Sequence, residues 1–402
     1  MGGFAVFFHD HRFVVDGEEQ ILSHGVFPYR IWQRYLIAFA SLKVVARRRE
    51  IDSGLDPRRL SPSNGPNVSF EFVPSVNDPL RYLFGRQRIL NRLKPMVAQA
   101  DAVICRLPSE LGLLGTELAQ MMGKPCAVEL AGCPWDGMRS HGSLTGKFYG
   151  PIFTWRVKRA IAAASHVVYV TNGFLQRRYP TAGHWAAISN VDIPPPDAEA
   201  LSCRLEGPIE DDRRLTFGTI GAISHRGKGI DVALRALAEA RSQLPSFVYR
   251  VLGPGDPAPY RAVAEQLGLG EQVHFDGTLP GGEPVLRWLD QIDVYLQPSF
   301  HEGLPRAVIE AMSRGCTCLG SSVGGIPELL DQECLHTPGD HHQLARQLVH
   351  AGAGTDWRSD QARHNFETAR RYGGDVLNQR RTAFWLDFGR HAYGAQNAGP
   401  PC

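Results

Sequence analysis

The stretch Pro298 to Glu328, PSFHEGLPRAVIEAMSRGCTCLGSSVGGIPE, constrains the fold more than any other part of the chain. It follows Val294–Leu296, a short apolar run of the kind buried in a parallel sheet. Pro305 is placed as an early helical residue, AVIEAM continues with helical apolar spacing, and Gly315 supplies a stop. A strand, a glycine-containing loop and a helix N-terminus in succession leave backbone N–H groups pointing outward, which makes an anion site. Two carboxylates flank it: Glu302 in the loop and Glu310 in the second helical turn. Arg306, in the first turn, has the wrong sign for the helix dipole unless an anion or carboxylate lies nearby.

Length and composition bound the rest. A chain of 402 residues has room for two domains, each with its own core. The 43 basic and 41 acidic residues give no bulk charge drive toward nucleic acid. None of the eight cysteines forms a CxxC, and most fall in apolar runs, so they read as reduced core thiols. Cys316 and Cys318 lack a His or Cys partner at metal-ligand spacing, and no metal is expected. No apolar run reaches the roughly 18–20 residues of a membrane span. MGGFAVFFHDHR lacks the basic start and cleavage site of a secretory signal, and Val6 stands where a myristoylation motif needs Ser or Thr. The expected location is cytoplasmic.

Short apolar strands alternate with helices through most of the chain. Strands are expected at Phe4–Phe8, Lys43–Ala46, Val68–Val73, Ala102–Cys105, Cys126–Leu130 and His166–Val170. Helices are expected around Tyr29–Ala40 and over Leu80–Val97, Leu111–Met122 and Phe148–Ala164. HDHRFVVDGEEQILSHG reads as a polar loop, and AGCPWDGMRSHGSLTG as a glycine-rich one. Pro194-Pro195-Pro196 and the polar residues to Arg214 break the pattern and mark a linker. A second alternation then runs from the strand Leu215–Ile220 to the strand Val294–Leu296, with further helices at Gly339–Val349 and Asp375–Gly389. The reading is α/β, two doubly wound parallel sheets: a domain over 1–195, a linker over 196–214 and a domain over 215–374.

The pair of glutamates with seven residues between them in EGLPRAVIE, followed by GGIPE at Gly324–Glu328, resembles the signature of the retaining glycosyltransferases of family 4. That resemblance implies the two-domain GT-B architecture with an active site in the cleft, an N-terminal acceptor domain, and a last helix, about 375–390, crossing back onto it. It further implies that Glu310 bonds the donor ribose, that Glu302 lies by the sugar, and that Gly303 and Leu304 offer N–H groups to the phosphates. LTFGTIGAISHRGKGID, Leu215–Asp231, carries a glycine loop with Lys228 as a flexible point charge. The family usually places a second cation where this chain has Ala222, which leaves Arg226 or Arg306 to supply it. Gly253 and Leu279 follow strands, where such sheets bind ligands, and by resemblance Leu279 lies against the nucleobase. Where the family often has a catalytic histidine this chain has Ala131 and Gly132; Asp136 or His141 are the substitutes, or Trp135-Asp136 is loop packing. His9, His11 and His24, near Gly25, either contact acceptor or form a plain polar loop.

The implied reaction is metal-independent transfer of a hexose, with retention, from a UDP- or GDP-sugar to a glycan or polyprenyl-linked glycan. YVTNGFLQRRYP at Tyr169–Pro180, with VICRLPSE, looks like a subgroup involved in bacterial surface polysaccharides. LRYLFGRQRILNRLKP is basic and amphipathic, suited either to peripheral contact with the inner membrane face through 80–95 or to an ordinary surface position. The competing class is a catalytically weak nucleotide-sugar binding protein.

Overall fold

A computed structural model describes residues 3–16, 20–24, 27–49, 60–74, 79–140, 144–206, 214–224 and 226–397. It divides into two compact units, one made of Met1–Ile188 with Asn378–Cys402, the other of Ser189–Leu377.

The first unit holds a nine-stranded sheet. Its elements are β1 Phe4–Val15, β2 Ile21–His24, α1 Tyr29–Leu36, β3 Ser41–Arg49, β4 Leu60–Pro62, β5 Val68–Phe72, α2 Pro79–Gln99, β6 Ala102–Leu107, α3 Glu110–Met121, β7 Cys126–Leu130, α4 Pro134–Ser140, α5 Leu144–Ala163, β8 His166–Tyr169, α6 Phe174–Arg178 and β9 His184–Ala187. β1 is the central strand, parallel to β3 and β6, with β6, β7, β8 and β9 following in parallel order. The expected polar loop after Phe8 is instead the continuation of β1, which shifts register between Phe8 and Arg12 and pairs antiparallel with β2. Its apolar residues explain this: Phe13 and Val14 are buried, and Phe13 joins Phe7, Phe27 and Trp32 in one aromatic cluster. The glycine-rich stretch after β7 likewise contains α4, and β9 was not anticipated.

The apolar side of α2 is turned inward: Ile89, Leu90, Leu93 and Val97 are buried, while Gln87, Arg88, Asn91 and Arg92 are exposed. Over its described side chains, the amphipathicity of the 80–95 stretch therefore serves the core. No helix among the described residues is long and apolar enough to cross a membrane.

The second unit holds a six-stranded parallel sheet in the order β12-β11-β10-β13-β14-β15. Here α7 is Ala198–Glu206, β10 Leu215–Ile220, α8 Ile230–Ala240, β11 Phe247–Leu252, α9 Ala258–Gln266, β12 Val273–Phe275, α10 Glu283–Asp290, β13 Val294–Gln297, α11 Arg306–Ser313, β14 Thr317–Ser321, β15 Leu335–His336, α12 His341–Ala353 and α13 Thr355–Arg370. The stretch expected as a linker contains α7, and it is docked. Arg204 donates to the carbonyls of Leu289, Ile292 and Arg314, at and just beyond the carboxyl ends of α10 and α11.

The last helix, α14 Gly374–Asn397, starts in the second unit and from Asn378 belongs to the first. Trp385 and Phe388 are buried there against Tyr35 and Phe39, and the Tyr393 hydroxyl donates to the Ala38 carbonyl. Asp387 sits 3.2 Å from His166 of β8.

Candidate active site

Three loops at the carboxyl ends of β10, β13 and β14 meet in the second unit. The turn Arg226–Lys228 leads into α8 through Gly229, whose φ of +67° lies in the left-handed region; a Cβ there would stand 1.9 Å from the Pro298 carbonyl oxygen. Phe300 N–H donates to Gly227 O at 2.9 Å, which ties the first loop to the second. Gly325 N–H donates to Gly303 O at 2.6 Å, and Gly324, at φ +58°, has room only for hydrogen beside the Glu302 carbonyl. These close approaches explain why both the GKG and GGIPE segments need glycine.

The contacts place Lys228 and Glu302 in one group. Glu302 Oε1 accepts from Lys228 Nζ at 2.6 Å, Ser299 Oγ at 2.8 Å and Gln297 Nε2 at 2.9 Å. Oε2 has no hydrogen-bond partner among the described residues. Behind this carboxylate the buried Tyr295 hydroxyl donates to Gln297 Oε1 at 2.7 Å and accepts from Ile220 N–H at 3.3 Å. The relay of Tyr295, Gln297 and Ser299 was missed from sequence. Its signal was a glutamine ending an otherwise apolar buried strand, a polar group that has to find a partner.

Pro305 is the N-cap of α11 with extended backbone, φ −72° and ψ 114°, so the helix begins at Arg306 rather than at the proline. The N–H groups of Gly303 and Leu304 have no acceptor among the described residues. They precede a helix N-terminus, where partial positive charge accumulates. Arg306 is exposed and acts electrostatically on Glu310 one turn later. Arg226 is exposed on its turn, and its charge reaches Tyr260. Gly253 N–H donates to Gly277 O at 2.7 Å, joining the loops after β11 and β12, and Leu279 is half-buried just beyond.

Burial pushes the Glu310 carboxyl above its ordinary value of 4.5, and Asp192 adds to this while Arg306 opposes it. A raised folded pKa means that the native state binds more protons than the unfolded chain between the two values, so stability falls as pH rises through that window. Glu310→Gln is accordingly expected to raise the ligand-free melting temperature at pH 7.5. The gain should shrink as pH falls toward 4.5; a melting scan showing a lower Tm at pH 7.5 would contradict it.

On the acceptor side, Asp136 lies on α4 and accepts from Arg178 Nη1 at 2.7 Å. His24 closes β2, while Gly25 and His141 lie outside the described residues. His9 and His11 belong to β1, with ring centroids 5.3 and 5.0 Å from that of Phe27 in tilted and edge-on arrangements, and His11 Nε2 meets Ser23 Oγ at 3.0 Å. Burial, reinforced by Arg106, lowers the His9 pKa well below 6.5 and keeps the ring neutral. At the end of β7, where Ala131 and Gly132 follow, the buried acid is Glu129. It accepts from Tyr35 Oη at 2.9 Å and Arg106 Nη1 at 3.1 Å.

Cys316 and Cys318 are buried, and burial pushes both thiols up, Cys316 to about 11. Among the described residues, Glu239, His341 and His342 bring three ligand-type atoms within 4.8 Å of one another, on α8 and α12 rather than on the loops holding Lys228 and Glu302.

Residues 214–352, within the second unit, match the family model described as glycosyl transferases group 1. Protein CapJ of Staphylococcus aureus is 27% identical over 356 residues, 88% of each chain. The amylovoran biosynthesis glycosyltransferase AmsK of Erwinia amylovora is 33% identical over 137 residues, 32% of this chain and 33% of its own. Among solved structures, Anabaena HepE in complex with UDP and glucose superposes with a TM-score of 0.61 at 16% identity, covering 94% of this chain and 97% of that one. The chain is a glycosyltransferase of the GT-B fold, and residues 214–352 of its second unit are similar to the glycosyl transferases group 1 model.

Proposed function

We propose that the protein is a retaining, metal-independent enzyme that moves a hexose from a UDP- or GDP-linked donor to a glycan or lipid-linked glycan during cell-surface polysaccharide synthesis. The observation that carries this reading is the Lys228–Glu302 pair, 2.6 Å apart, beside the N–H groups of Gly303 and Leu304, which have no acceptor among the described residues. A cation and helix-terminal N–H groups are what a departing diphosphate requires as its charge grows. The likeness to HepE, which holds UDP and glucose, and to AmsK supports the donor class and the pathway.

Lys228, together with Arg226 or Arg306, binds the diphosphate, and Glu310 accepts from the ribose hydroxyls. Leaving phosphate takes the acceptor proton on the same face of the sugar, while Glu302 steadies its developing positive charge. A covalent route through the two glutamates, as in retaining glycosidases, is disfavoured because Glu310 is assigned to the nucleotide. Acceptor binding falls to the first unit around His24, Gly25, Asp136 and His141. The second reading, a weakly catalytic binding protein, draws on Ala222 and on Ala131-Gly132, where the family usually has arginine and histidine.

A nucleotide-sugar panel read by thermal shift identifies the donor, because a ligand that binds only the native state raises its stability. With that donor, Glu310→Gln should mainly weaken affinity for the free nucleoside diphosphate, while Glu302→Gln should cut turnover more than affinity. Calorimetry showing nucleotide binding abolished in Glu302→Gln and untouched in Glu310→Gln would reverse the donor's orientation. Turnover is also expected to persist in excess EDTA, since no Asp-x-Asp pair is present to chelate a metal-diphosphate. Complete loss restored by magnesium would remove the metal-independent mechanism.

A further inference from the structure

α5 is apolar on two sides, and only one of them is used by the fold. Its inward side buries Phe153, Val157 and Ile161. Its outward side carries Phe148, Ile152 and Trp155, which are 80%, 55% and 55% exposed. The spacing of i, i+4 and i+7 puts these three on one line along the helix. Single exposed hydrophobes are ordinary, but three large ones in line on one helix mark a contact surface.

The charges nearby select the partner. α5 contains not one acidic residue; its Lys158 and Arg159 are exposed, while Arg156 is turned to Glu110 and paired with it. Arg159 extends the same line at i+11 and stacks over the Trp155 ring, 4.9 Å from its centroid. α4 packs beside α5. It adds exposed Arg139, over the Trp135 ring at 5.8 Å, while its acid, Asp136, is already paired with Arg178. An aromatic and aliphatic stripe continuing into cations with long apolar stems is suited to the boundary between acyl chains and anionic headgroups.

We infer that α5 is the membrane-contacting element of this protein, seating Phe148, Ile152 and Trp155 in an anionic lipid surface with Arg159 and Lys158 at the headgroups. α2 cannot do the same with its described residues, because its apolar side lies in the core. The inference does not rest on the donor reading; should the acceptor be lipid-linked, the same surface would bring the enzyme to it.

The test uses the untagged full chain and sedimentation with sucrose-loaded vesicles of phosphatidylcholine alone or with phosphatidylglycerol at seven to three. Most of the protein should sediment with the anionic vesicles and little with the neutral ones. Phe148→Ser with Trp155→Ser should lower the bound fraction at least tenfold, with circular dichroism and Tm unchanged because both side chains are exposed. Lys158→Glu with Arg159→Glu should abolish the preference for the anionic lipid, and Arg88→Glu on α2 should leave binding as it is. Trp155 should be quenched by brominated acyl chains, a signal lost in Trp155→Phe. Absence of sedimentation, equal sedimentation of the stripe variant, or loss through Arg88→Glu instead would overturn the inference. So would self-association in the ultracentrifuge that the stripe variant abolishes while vesicle binding is unaltered, since the stripe would then belong to a second copy of the chain.

Discussion

Lys228→Ala should lower kcat/KM by roughly tenfold to a thousandfold, the usual loss when one group that stabilises transition-state charge is removed. The structure sharpens what that number would mean. Lys228 already holds Glu302 at 2.6 Å, so its removal also costs an ion pair whose side chains are 30% and 11% exposed. A partly solvated pair of this kind contributes about 0–1 kcal/mol to stability. The melting temperature should therefore move little while catalysis falls far. Lys228→Arg, which keeps the charge, should retain more activity than the alanine variant. Wild-type turnover by Lys228→Ala, or a loss matched by unfolding, would show that the lysine only braces the loop. Arg226→Ala and Arg306→Ala, measured beside it, decide which arginine supplies the second cation.

Trp385→Ala is expected to destabilise the first unit by about 3–5 kcal/mol, the range for truncating a buried tryptophan. Trp385 is 1% exposed, with its ring 4.8 Å from Tyr35 and 5.1 Å from Phe384. Scanning calorimetry should show one transition moving down and another, belonging to Ser189–Leu377, staying in place. Nucleotide affinity should survive, because the residues assigned to the donor all lie in the second unit. Unchanged transitions would mean that α14 rests on the first unit without completing its core.

The regular parts of both sheets were legible because buried parallel strands write themselves as short apolar runs between helical patterns. β10 and β13 come within a residue of the expected limits. Elements with mixed composition were not legible. β1 runs through His9, Asp10 and His11, polar residues that local pattern assigns to a loop and that only strand pairing and the Phe27 cluster account for. α7 sits in a polar stretch with no buried residue of its own, held by Arg204 reaching carbonyls far away in sequence. In the site, Glu302 and Lys228 stood out through motif and charge. Gln297 and Ser299 did not, since their role exists only once β13 delivers them to the same oxygen. α2 shows the opposite failure: a periodic apolar stripe says that a helix has two faces, not which surroundings the apolar one meets.

That the first unit is assembled from both ends of the chain has a consequence for biosynthesis. Residues 1–188 leave the ribosome with Tyr35, Phe39 and His166 still lacking the cover that Trp385, Phe388 and Asp387 provide. The roughly 200 residues in between take on the order of 10–40 s to translate at ~5–20 residues per second. During that time the second unit, a single continuous segment, can fold completely, while the nascent first unit waits with an apolar seam open. A ribosome stalled before codon 378 would thus release a chain with a finished second unit and an adhesive amino-terminal one, a natural client for chaperones.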